Sequence, residues 1–397
     1  MRGRRRPADG RADFTAFTQR LFGHLHRVDQ QRWGQVYLQG LLATPGKKTL
    51  RRMAEAVTSS PTASQSLQQF VNASPWDWDV TRSELVRWTG ERLTVRAWTL
   101  APTVLPKRGA HSVGVHRRFV REQGRIVNCQ LGLALFLSGE EGQVPVDWRL
   151  HLPEQWVGDA EARRRARIPE ETRQQALWAQ ALDLVDGLAA QPGLVRAPVV
   201  ADLTGVTDVR PLIERPHGRG HGFVLAVSGQ LPLAPAPEPY IGRAQHEPLP
   251  PLSARQLLLR DGIRHPDVAV TVGPDGRPRR IQVISSPAEI PGLRPGHGRV
   301  PSVGRVFAEW DPVRKLPRRI WLTNLPERRM ADLLALASLH ARTLTTVSAL
   351  GEHGGLLDFE GRSFPGWHRH MTLVSAAHAY GLLSRPVLHH RPEREAA

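Results

Sequence analysis

Asp202 closes a short apolar run, Ala197-Pro-Val-Val-Ala-Asp202, that reads as a strand ending in a carboxylate. At the carboxyl edge of a sheet such a group can ligate Mg²⁺. An Asp in that place can equally cap the turn that follows it. One carboxylate does not make a two-metal phosphoryl-transfer centre, which needs several acids around ions ~3.5–4 Å apart. His368 and His370 flank Arg369, with Trp367 before them. At i and i+2 on a helix their rings point to different faces, which favours surface or DNA-backbone contact over a shared metal. The chain has no Gly-x-x-x-x-Gly-Lys-Ser/Thr loop, no Gly-x-Ser-x-Gly elbow and no His-Glu-x-x-His, so nucleotide hydrolysis, serine hydrolysis and zinc proteolysis have no support. The single cysteine, Cys129, excludes an internal disulfide framework and a cysteine-rich zinc site.

These residues need elements to position them. Residues 12–92 read as a helical domain. Trp33, Val36, Tyr37, Gly40 and Leu41 recur at helical spacing, as do Leu50, Met53, Ala54 and Val57. The second of these helices is expected to carry Lys47, Lys48, Arg51 and Arg52, a basic face suited to DNA. Strands are expected at 93–100, 111–120 and 128–138, a helix at 169–188, and strands again at 197–202 and 222–227, an α/β order. Residues 228–320 interrupt it with 16 of the 33 prolines and read as a β-rich, Pro-rich insertion. Within it Val268–Val272 and Arg280–Ser285 are expected strands, separated by a Gly-Pro-Asp-Gly turn. Helices return at 330–350 and 367–383. Residues 1–11 read as a basic disordered arm and 386–397 as a disordered tail.

The 397 residues carry 54 Lys and Arg against 37 Asp and Glu, a formal charge of +17. Such a surplus favours polyanionic partners, nucleic acid first among them. All but four of the cations (Lys47, Lys48, Lys107 and Lys315) are Arg, whose planar fork suits phosphate. The same Arg excess would also follow from GC-rich coding. No apolar run approaches ~18 residues, so no membrane span is expected. The basic start, Met1–Pro7, lacks the apolar stretch of a secretory signal, and a cytoplasmic setting is expected.

Seven stretches, in order, resemble the bacterial DDE transposases of the group named after insertion sequence 701. They are Gln65–Asp77, Leu105–Val115, Gly124–Gln130, Val146–Trp156, Val199–Asp202, Trp321–Pro326 and Phe359–His370, within a span of about residues 20–383. The resemblance implies a ribonuclease-H-like mixed-sheet core, 93–227 completed by 321–385, interrupted by the 228–320 insertion. It also implies three carboxylates around Mg²⁺, and double-stranded DNA at transposon ends as the partner, with a homodimer one assembly open to it. DNA contacts are then expected from Lys47, Lys48, Arg51, Arg52, Lys107, Arg108, Arg362, His368, Arg369 and His370.

Residue by residue, the resemblance places the first acid at Ala101, where the family pattern Asp-Asp/Glu-Thr-Gly-Phe reads Ala101-Pro-Thr-Val-Leu105. The second acid is Asp202, although the Gly-Tyr-Gly-like segment after it reads Thr204-Gly-Val206. The third, in a pattern like Arg-Trp-x-Ile-Glu, falls on His340-Ala-Arg-Thr-Leu344, with Leu344 at the Glu position. Glu352 lies eight residues on, roughly 12 Å along a helix, and Gly351, Gly354 and Gly355 are expected to end that helix first. Asp332 lies roughly 18 Å away on the other side. Asp202 alone lacks a full ligand set for Mg²⁺. The leading expectation is a transposase-family DNA-binding protein, cytoplasmic and nucleoid-associated, that has lost strand cleavage and transfer. Two alternatives stand beside it: an active DDE enzyme using another carboxylate, and an Arg-rich structural or RNA-associated protein.

Overall fold

A computed structural model of the chain describes residues 7–218, 220–236, 250–263, 266–272, 277–289 and 303–384. Most of the basic arm, the Gly-Pro-Asp-Gly turn, Pro237, Pro239 and the tail from Pro386 lie outside these residues. Five helices come first: α1 (Pro7–Phe22), α2 (Val28–Ala43), α3 (Leu50–Val57), α4 (Ala63–Asn72) and α5 (Trp78–Gly90). Then follow β1 (Ala97–Pro106), β2 (His116–Val120), β3 (Arg125–Ser138), β4 (Gln143–Leu150), α6 (Glu154–Val157), α7 (Ala160–Ala166), α8 (Leu177–Ala189), β5 (Val199–Ala201), α9 (Arg210–Gly218) and β6 (Phe223–Val227). The Pro-rich region holds β7 (Pro232–Pro235), β8 (Leu252–Ser253), α10 (Ala254–Leu257), β9 (Asp267–Val272), β10 (Pro278–Glu289), β11 (Val303–Asp311) and β12 (Leu316–Thr323). The chain closes with α11 (Met330–Ala349) and α12 (Phe364–Leu383).

The core is ribonuclease-H-like. Its strands run in the order β4-β3-β1-β5-β6, with β3 antiparallel to β1 and β4, and β5 and β6 parallel to β1. The strands of the insertion do not form a separate sheet. β12 pairs antiparallel with β6, β11 with β12 and β10 with β11, so the insertion widens the core sheet. Alternation along the strands divides the core in two. Val199 and Ala201 pack into one cluster, with Leu212 and Ile213 of α9. Val200 joins the other, with Val224, Ala226, Trp321 and Leu333, Leu336 and Leu339 of α11.

Several element boundaries differ from the sequence expectation. The first strand starts at Ala97, not 93, and runs on to Pro106. Residues 111–115 are a loop, although Val113 and Val115 are buried. Residues 169–176 are not helical: Arg163 Nη1 donates to the Val157 and Thr172 carbonyls and Nη2 to Pro169, holding this stretch as a loop. Lys47 and Lys48 precede α3 rather than lie on it, because Thr49 is its N-cap and accepts from Arg52 N. The glycines do not stop α11 at 350. A π-helical turn carries it through Leu350–Gly354, and it ends where Gly355 takes a left-handed φ of 84°.

Met330–Gly354 is thereby the one helix among the described residues long and apolar enough to cross a membrane. Its buried positions, Leu333, Leu336, Leu339, His340 and Thr343, pack against the sheet.

Candidate functional site

The site forms where the middle of β1 passes the carboxyl end of β5. Trp98, Thr99 and Leu100 pair in parallel with Val199, Val200 and Ala201, so the next step of the register sets Ala101 beside Asp202. Both belong to the face covered by α11, since Thr99, two residues before Ala101, shares a 2.8 Å hydroxyl bond with Thr343. Ala101 is fully buried and offers no lone pair.

Asp202 is engaged on both oxygens. Oδ1 accepts from Thr204 N at 3.1 Å and Thr204 Oγ1 at 2.7 Å, which makes it the cap of the following turn. Oδ2 pairs with Arg319 Nε at 3.0 Å. Arg319 reaches it from β12, whose start lies at the carboxyl end of β6 because the two strands are antiparallel.

The helix residue that faces this row is His340, not Leu344. His340 is 2% exposed, its ring meets Trp321 of β12 edge-on, and it feels the charges of both Asp202 and Arg319. Burial lowers its pKa to about 4, the Asp202 carboxylate and the Leu100 backbone pull it back up, and Arg319 pushes it down. It is therefore a neutral imidazole at pH 7, and its Nδ1 has no hydrogen-bond partner. α11 runs antiparallel to β1: Thr343 meets Thr99, and Thr346 bonds Gln143 near the start of the strand. Leu344, one turn beyond His340, is 39% exposed and lies toward that starting end.

This donor set does not fit a divalent cation. Such an ion wants several oxygen ligands. Here the neighbour of Asp202 on β1 is an alanine, Asp202 itself is held by a guanidinium, and no group of three His, Cys, Asp or Glu that could hold a metal occurs among the described residues. What remains is a neutral His, a capped Asp and a half-exposed Arg paired with it.

The expected DNA-contact residues divide sharply. Lys47, Arg51, Arg52, Arg108 and Arg362 are exposed, although Arg51 pairs with Glu55 and Arg52 donates to the Lys47 and Pro45 carbonyls. Lys107 is half-buried and donates to Phe359 O. Lys48 is buried, its Nζ bonded to Thr44 O and its backbone N–H to Asp358.

His368, Arg369 and His370 do not reach a surface at all, in contrast to the sequence expectation. α12 packs against α2, α4 and α5 on one side and β4 on the other, so consecutive residues pointing in different directions are all enclosed. His368 stacks on Trp78 at 5.1 Å and meets Arg82 of α5. Arg369 donates to the Trp76 and Val71 carbonyls. The His370 ring bridges Tyr37 Oη and Gly355 O, which makes Nε2 the donor and Nδ1 the acceptor from the phenol. These three residues fasten the N-terminal helices to the core.

Comparison with known families gives one decisive match: residues 20–283 fit the family described as DDE superfamily endonuclease. The chain belongs to that family. As a DDE superfamily endonuclease it carries the expected ribonuclease-H-like strand arrangement. Among solved structures it is similar to the piggyBac transposase in a synaptic complex with hairpin DNA, at 9% identity, covering 97% of this chain and 68% of that one, with a TM-score of 0.40. A search among curated proteins finds no match.

Two members of this DDE site, His340 and Arg319, were not singled out from sequence. His340 opens the very stretch aligned with the family's third acid, and Arg319 heads an apolar strand whose pairing partner lies about 90 residues upstream. Only the strand register brings them to Asp202.

Proposed function

We propose that this DDE family member is a transposase-type DNA-binding protein of the bacterial insertion-sequence-701 group that no longer cleaves or transfers strands. It acts in the cytoplasm on nucleoid DNA, occupying duplex ends rather than processing them. One observation carries this: the place beside Asp202 is Ala101, and Asp202 is spent on Arg319 and on the turn. The family chemistry would use a metal-activated water and then a DNA 3′-hydroxyl against phosphodiesters. The charge of +17 supports continued attraction to phosphate.

Binding should therefore be strongly salt-dependent and indifferent to divalent metal. Fluorescence anisotropy with a labelled duplex is expected to give a linear fall of log K with log salt, superimposable in EDTA and in Mg²⁺ at matched ionic strength. A flat salt response would remove DNA from the account, and tighter binding that requires Mg²⁺ would restore a metal site.

A further inference from the structure

We infer that the β2–β3 hairpin is a second duplex-DNA contact, in which arginines take phosphates and an exposed apolar pair presses into a groove. This rests on the DNA-binding reading above and adds a surface to it. β2 is the outermost strand of the sheet and pairs with the first residues of β3, from His116 against Cys129 to Val120 against Arg125. A four-residue turn joins the strands, closed by Gly124 at a φ of 61°, where a side chain would be strained.

One side of this ribbon is buried through Val120 and Cys129. The other presents Arg117, Phe119, Ile126 and Asn128, in which Phe119 and Ile126 stand directly opposite each other and are each 58% exposed. An aromatic and a β-branched residue paired on open solvent contribute little to folding, and together they call for a partner. Arg121 and Arg125 at the tip are exposed, as is Arg108 at the end of β1, which the Asn128 side chain ties in through the Lys107 and Gly109 carbonyls. Among the described residues neither Arg108 nor Arg117 pairs with a carboxylate. Clustered cations around an apolar pair match a phosphate-lined groove, and a two-stranded ribbon is narrow enough to enter one.

The position also fits. β3 is antiparallel to β1, so its first residues lie at and beyond the carboxyl end of β1, on from the level of Ala101 and Asp202. In that register Ala101, Thr103 and Leu105 stand opposite Ala134, Gly132 and Gln130, and the same alternation continues to Asn128 and Ile126. The exposed side of the ribbon thus continues the sheet face of Ala101 and Asp202. Between the two the face is covered, with Trp367 of α12 over Gly132 and Gln130 buried against the Val113 carbonyl, so the ribbon is a separate exposed surface.

The test uses the full chain and a fluorescein-labelled duplex of random sequence, with anisotropy measured over a series of KCl concentrations. The triple variant Arg117→Ser, Arg121→Ser, Arg125→Ser should lower the slope of log K against log salt by about 2.7, and weaken binding about tenfold or more. The double variant Phe119→Ser, Ile126→Ser should weaken binding with an unchanged slope, because no charge is lost. Both should keep the wild-type melting temperature, since these side chains are exposed. Acrylodan on Phe119→Cys, next to a native Cys129 that is buried, should blue-shift when duplex is added.

Wild-type binding with both variants unchanged, or a dye that does not respond, would overturn the hairpin contact and leave the DNA-binding reading standing. Failure of the wild type itself to bind would overturn both. An apolar double variant that alters the oligomeric mass by light scattering but not DNA affinity would assign this face to a second copy of the chain, and would overturn the inference as well.

Discussion

Replacing Ala101 with Asp and Arg319 with Met together should give the protein a melting temperature that rises with Mn²⁺, a response the wild type lacks. Ala101 is fully buried beside Asp202, so the new carboxylate enters a closed site as one of two like charges. Without metal the double variant should lose about 1–3 kcal/mol for a buried acid without a partner. Arg319→Met releases Asp202 Oδ2, and the unpartnered Nδ1 of His340 supplies a third donor. At Mn²⁺ a hundredfold above the dissociation constant, linkage would return about 2.7 kcal/mol. Calorimetry with and without Mn²⁺ reads both effects. The companion variant, Ala101→Asp with Leu344→Glu, should show the loss but no recovery, because Leu344 is one turn away from the row and Arg319 still holds Asp202. A Mn²⁺ response in the companion alone would place Leu344, not His340, over the site.

Arg82→Ala is expected to be the most destabilising single substitution outside the apolar core. Arg82 is 3% exposed and on α5, yet it bonds across to β4 and α12: Asp147 at 2.7 Å, the Trp148 carbonyl, Thr372 at 2.9 Å and His368. Burial lowers its pKa, with Asp147 the largest opposing influence, and it stays a cation because arginine's starting value is so high. Removing it leaves Asp147 with Arg149 and the Trp148 N–H and takes the partner from His368 Nδ1, a cost of about 1–3 kcal/mol for each buried group left without its partner. Urea unfolding should show that loss. Adding Asp147→Asn should recover part of it, since the carboxylate that has lost its nearest cation is then gone. Equal losses in the single and double variants would mean that Arg82 acts by packing alone.

The strand at 197–202 and its terminal Asp202 were legible because an apolar run ending in a carboxylate is a local pattern. The alternation into the long buried β3 was legible for the same reason. That Ala101 stands beside Asp202 follows from the β1–β5 register, a non-local fact that no spacing in the sequence expresses. The helix register was not legible. His340 and Leu344 differ by a single turn, and only the Thr99–Thr343 bond and the edge-on contact with Trp321 show which of them overlooks Asp202. The pattern Trp367-His-Arg-His370 looked like surface chemistry because polar residues cluster there. Burial of α12 comes from α2, α4 and α5, about 300 residues earlier, and from β4; Tyr37, Arg82 and the Trp76 carbonyl answer His370, His368 and Arg369, while Trp367 Nε1 and His368 Nε2 stay without a hydrogen-bond partner. The Pro-rich region looked separable, but β12 pairs onto β6 and carries β11 and β10 with it. Prolines sit at strand ends and at positions that spare the ladder, as Pro278 and Pro317 do.

Under the proposed function, metal-dependent strand cleavage is gone while the fold and its attraction for DNA persist. The most direct measurement is nicking of supercoiled plasmid carrying the DNA that flanks this gene, in Mn²⁺, for the wild type and for Asp202→Asn side by side. Binding without any nicking above the Asp202→Asn level is the expected result. Nicking by the wild type that Asp202→Asn abolishes would contradict it, and would show that Asp202 still serves a working metal centre.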